Sequence, residues 1–105
     1  MNVKFIKSIK DNPQMYIGEP SLERLRYFMN GYLVCELNLE SGNEQDNMFW
    51  TRFQEYIQKH YNINSSQHWT KIISFFSSSD RASFDKFFEL LDEFVETEEE
   101  KARTK

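Results

Sequence analysis

Few side chains in this sequence could carry out chemistry. Cys35, His60 and His68 are the only thiol and imidazoles among 105 residues, and no CxxC, HExxH or HxH spacing joins them. Neither zinc nor iron is therefore offered a ligand set, and no phosphate-cradling glycine loop or G-x-S-x-G turn occurs. His60 falls at the end of a predicted helix, where an imidazole suits the negative pole, and His68 beside Trp69 reads as a half-buried neighbour of the core. Paired carboxylates act as acid and base only where their surroundings drive their pKa values apart. The acids that cluster here are mutually equivalent in the pattern. The expectation is a protein with no catalytic residue, no metal and no cofactor.

Those acids are Asp85, Glu89, Asp92, Glu93 and Glu96. On a helical wheel they share an arc of roughly 100°, while Phe84, Phe87, Phe88, Leu90, Leu91, Phe94 and Val95 fill an arc of roughly 160° facing a core. Like charges at i, i+4, as in Asp85/Glu89, Glu89/Glu93 and Asp92/Glu96, each cost a few tenths of a kcal/mol. One reading is a docking face for a basic partner, since clustered carboxylates raise association rate and select the partner. The other is a solvated face neutralised by bases such as Lys4, Lys7, Arg24 or Arg26. Glu40, Glu44 and Asp46, in the polar linker before the third long helix, form a second acidic candidate.

The elements that must position these residues are helical. Pro20–Leu39 is apolar in nearly every helical direction, which predicts a buried central helix opened by Pro20 or Ser21 and stopped near 38–42. Gly31 in its middle predicts close approach of another backbone, and Cys35 a buried thiol. Around it the spacing predicts a short amphipathic helix over 2–11, helices over about 47–60 and 69–76, the latter capped by Ser65 or Ser66, and a last helix over about 80–98. Pro13, Met15, Tyr16, Ile17 and Gly18 describe a loop pinned by its apolar residues. This is an all-α domain of about five helices over residues 1–97, with a frayed charged tail over 98–105.

Composition sets the remaining bounds. Ten Phe, five Tyr and two Trp supply a core without disulfides, and only three Gly and two Pro disfavour a many-stranded sandwich. The net charge of −4 is +2 over 1–35, −2 over 36–79 and −4 over 80–105, which argues against nucleic-acid binding. No leader pattern or membrane-length apolar run is present, so the expected setting is the cytoplasm, as a monomer or weak homodimer.

The run Pro13-x-Met15-Tyr16-Ile17-Gly18 is similar to a short motif near the N-terminus of DNA gyrase ATPase subunits, whose nucleotide motifs are missing here. Together with Ser21-Leu22-x-x-Leu25-x-x-Phe28-x-x-Gly31-Tyr32, Trp69-x-x-Ile72-Ile73 and Ala82-x-Phe84-x-x-Phe87-Phe88-x-Leu90-Leu91-x-x-Phe94, it resembles small bacterial helical proteins that serve as immunity proteins of contact-dependent or polymorphic toxin systems. The resemblance implies a protein that binds and blocks a cognate toxin domain, in many cases a nuclease with a basic groove. The alternative is a regulatory or structural adaptor that docks through Met15–Ile17.

Overall fold

The computed structural model describes residues 1–103, and among them the chain forms six helices and no strand: α1 (Val3–Asp11), α2 (Pro13–Tyr16), α3 (Leu22–Leu39), α4 (Glu44–His60), α5 (Trp69–Phe75) and α6 (Asp80–Arg103). Their starts follow from short polar side chains that accept orphan backbone N–H groups. Asn2 Oδ1 accepts from Phe5 N at 2.8 Å, Ser21 Oγ from Arg24 N at 3.0 Å, Asn43 Oδ1 from Gln45 N at 2.8 Å and Ser79 Oγ from Ala82 N at 3.0 Å. Asp80 also accepts from Glu23 N at 3.2 Å, which ties the start of α6 to the start of α3.

The expected pinned loop holds the extra helix. Pro13 opens α2, its carbonyl accepts from both Ile17 N and Gly18 N at 2.8 and 3.1 Å, and Gly18 takes φ +88° to turn the chain out. Arg24 donates to Ile17 O at 3.1 Å and passes so close to Gly18 that an added Cβ would lie 2.6 Å from its Nη1. Tyr16 and Ile17 are half-buried, Tyr16 against Phe5 and Phe28, whereas Met15 is 76% exposed.

The organising helix is α6 and not the one over residues 20–39. Ser83, Phe84, Phe87, Phe88, Leu90, Leu91 and Phe94 are all buried, and α3, α4 and α5 each pack on α6. In α3 only Leu22 and Leu25 are buried; Cys35 is exposed and nothing lies within 4 Å of a Cβ built on Gly31. The all-round apolar pattern of α3 therefore has another cause: the helix outruns the core, and its second half keeps apolar residues at the surface.

The tail also differs from expectation. α6 continues through 98–103, residues of high helix propensity, with Arg52 Nε 3.3 Å from Glu98 and Lys101 and Arg103 in the last turn. Residues 104–105 lie outside the described residues.

α5 is capped by His68, two residues beyond Ser66 and three beyond Ser65, the expected caps. Nδ1 of His68 accepts from Thr70 N at 3.3 Å and sits 2.8 Å from Thr70 Oγ1. Gln54 of α4 fixes the same turn, accepting from Trp69 N at 2.7 Å and donating to Gln67 O at 2.8 Å. Partial burial first, and the charge of Arg26 second, lower the His68 pKa from its ordinary 6.5.

Two measurements check this account. Gly31→Ala, a helix-interior change into open space, is expected to raise stability by about 0.5–1 kcal/mol, while Gly18→Ala, at positive φ and against Arg24, is expected to lower it by about 1 kcal/mol or more in chemical denaturation. Because folding depresses the His68 pKa, the unfolded chain binds more protons below the ordinary value of 6.5. Stability is thus full above that pH and declines as pH falls from 6.5 toward the lower folded value, and subtracting the His68→Asn profile, which keeps a capping acceptor, is expected to reveal that decline.

Candidate functional site

The five acids of the α6 stripe are all exposed on one helix face, as the periodicity predicts, but most are not free. Lys7 Nζ lies 3.0 Å from Asp92, Arg81 Nε 3.4 Å from Asp85 and Lys86 Nζ 3.5 Å from Glu89. Tyr56 donates its hydroxyl to Glu93 at 3.1 Å. Partial burial, that hydrogen bond and the nearby carboxylate together raise the Tyr56 pKa above 10.0, which keeps the phenol a donor. Glu96 remains exposed. Exposed pairs of this kind hold each other weakly, yet they cancel much of the field a basic partner would feel.

The α3–α4 hairpin offers more. Glu40 adopts the left-handed conformation at φ 53° to end α3, and Asn43 restarts the chain three residues later as α4. From Tyr27 to Thr51 the chain contains no lysine or arginine and four acids, Glu36, Glu40, Glu44 and Asp46, so this segment carries −4. Glu40 and Glu44 are exposed, and Asp46 is half-buried. Glu36 turns inward, 3.2 Å from the Met1 ammonium. Beside the acids lie exposed apolar side chains: Leu37 at 67%, Leu39 at 71% and Met48.

Behind Leu37 the surface opens into a groove of about 380 Å³ between α3 and the starts of α4 and α5. Met29, Leu33 and Leu37 form one wall, with Trp50 and Trp69 facing them. The indole of Trp50 donates to Met1 O at 2.8 Å and stacks on Trp69 with ring centroids 5.8 Å apart. Arg26 and His68 occupy the same groove near the start of α3, and Glu36 its other end. The floor is thus rigid and aromatic, and its rim carries separated charges. Such a surface can hold an apolar side chain and orient a polar one; it offers no nucleophile aligned with a base.

The candidate chemistry of the sequence is dispersed. His60 stacks on Tyr56 and meets Tyr61 edge-on at the end of α4, His68 caps α5, and Cys35 is exposed on α3. Among the described residues no group of three or more His, Cys, Asp or Glu could hold a metal ion, and no helix is long and apolar enough to cross a membrane. The structural motif residues build a turn, since Pro13 is buried and Tyr16 and Ile17 pack inward, so Met15–Ile17 does not form an exposed docking patch.

The acids of the hairpin are legible in the sequence but its exposed apolar component is not, because the all-round apolar pattern over 20–39 predicts a buried helix. The available signal was the absence of any base over 27–51. No protein-family model, curated protein or solved structure matches the chain.

Proposed function

We propose that this chain is a non-catalytic immunity protein, which binds a cognate bacterial toxin domain through the α3–α4 hairpin and blocks it. The observation that carries the reading is the juxtaposition of exposed Leu37, Leu39 and Met48 with Glu40 and Glu44 on a segment without a single base. Apolar anchors rimmed by charge are what a specific protein interface requires: the anchors supply affinity once desolvated, and the rim supplies rate and selectivity. A nuclease must gather cations around its substrate phosphates, so an acid-rimmed apolar surface competes for that groove. The resemblance to immunity proteins supports the same class. The α6 stripe, already partly neutralised by Lys7, Arg81 and Lys86, serves as an auxiliary field. The adaptor reading loses its docking patch, because Tyr16 and Ile17 are packed.

The reading predicts a toxin domain encoded beside the gene and growth rescue when the two are co-expressed. Leu37→Lys with Glu44→Lys is expected to abolish rescue while leaving helix content unchanged. Glu40→Lys with Glu44→Lys is expected to slow association by about tenfold or more at low salt, a deficit that shrinks as salt rises. Full protection by the Leu37→Lys/Glu44→Lys variant would contradict the proposal.

A further inference from the structure

The groove behind Leu37 contains a cation that the rest of the molecule leaves without an anion. Arg24, Arg52 and Arg81 each face a carboxylate, at 3.5, 3.3 and 3.4 Å. Arg26 is half-buried and lines the groove, yet among the described residues it makes no ion pair or hydrogen bond. Its guanidinium lies over the Tyr27 ring, 4.6 Å from the centroid. Stacking of that kind occupies a face of the plane and leaves the N–H donors at its edge available. His68 lines the groove beside it and supplies a second donor. Because Nδ1 of His68 accepts from Thr70 N at 3.3 Å, the neutral ring holds its proton on Nε2, which has no acceptor among the described residues.

The other charges nearby are paired or distant. The Met1 ammonium lies 3.2 Å from Glu36 and 4.0 Å from Asp46. Glu23 and Asp80 share a separate polar pocket with Arg26 and Lys71, where Asp80 accepts from Glu23 N, and neither carboxylate comes within 4.0 Å of Arg26. Glu40, at the end of α3, is about 21 Å along the helix from Arg26, more than two Debye lengths at physiological salt.

We propose that this groove binds a small aromatic monocarboxylate, its ring between Trp50 and the α3 wall and its carboxylate on Arg26 and His68. The volume of about 380 Å³ lies in the range that encloses small ligands. Met29, Leu33 and Leu37 on one side and the Trp50 indole on the other suit a flat apolar body. Trp50 is held by its bond to Met1 O at 2.8 Å and by its stacking on Trp69, so that side of the groove is formed before anything binds. A planar carboxylate matches a guanidinium edge through two parallel hydrogen bonds, and apolar walls that exclude water strengthen the pair. An ammonium ligand would find no unpaired acid beside the ring site, and a neutral ligand would leave both donors unmatched.

The test compares 3-phenylpropionate, its amide and 3-phenylpropylamine, which share a ring and chain and differ in charge. Each is titrated into the isolated wild-type chain at about pH 7.5, where His68 is neutral, and binding is read from the NMR shift of the Trp50 indole N–H. The expected result is saturable binding of the acid at about 1 mM, about tenfold tighter than the amide, with the amine weaker still. Arg26→Gln is expected to reduce the acid to the affinity of the amide and to leave the amide unchanged. Leu33→Trp, a filling change at a position 43% exposed, is expected to remove binding of both. The comparison of the three ligands on the wild-type chain depends on no variant's folding. Equal affinity for acid and amide, preference for the amine, no saturable shift up to about 20 mM, or an Arg26→Gln loss common to acid and amide would each overturn the proposal. The toxin is absent from this experiment, so its failure leaves binding through the hairpin separately testable.

Discussion

Trp69 of α5 stacks on Phe87 of α6 with ring centroids 4.8 Å apart and planes 18° from parallel, and Phe53 of α4 stands edge-on to both. Three helices distant in sequence meet at this cluster. Aromatic pairs of this geometry contribute about 0.5–1.5 kcal/mol beyond their area, so a few of them are a large share of the net stability of a domain this size. Once the cluster is in place, Trp50 follows onto Trp69, and Phe94 packs against Phe53 and Phe49. α6 becomes the axis, and α3, α4 and α5 each pack on it.

That constraint explains why α3 is only half used. Leu22 and Leu25 reach the core, and Asp80 caps the first turn from the α6 side. Phe28 and Tyr32 are taken up by Phe5 of α1. Beyond them the axis of α3 leaves the aromatic cluster, and Val34, Leu37 and Leu39 have nothing left to cover. A folded domain that leaves two apolar turns in water forgoes the stabilisation their burial would bring, at about 25 cal/mol per Å². In the proposed function that forgone stabilisation is recovered on binding, with the acids of the hairpin choosing the partner.

Much of the fold was legible because its signals were local and repeated. The seven-residue apolar stripe of α6 and Ser21 as a cap both follow from spacing and from side chains that bond their own backbone. What spacing cannot convey is which of two apolar helices the others choose to cover. α3 is the more uniformly apolar and α6 the more amphipathic, yet burial went to α6 because its residues are larger aromatics on a single face and its polar face solves the solvation of the outside. The same limit applies at Gly31, where the glycine predicts close approach of another backbone and the structure leaves open space. Conversely, the partial neutralisation of the stripe by Lys7 depends on α1 lying near α6, a tertiary fact with no local signature.

Amide hydrogen exchange along α3, read residue by residue against α6, decides whether α6 is the axis of the domain, because protection reports local opening as well as global unfolding. Amides of 84–94 are expected to exchange only through global unfolding, while those of 33–39 exchange far faster despite being helical. Equal protection of 33–39 and 84–94 in the isolated chain would contradict it, since the second half of α3 would then be as deeply covered as the aromatic axis.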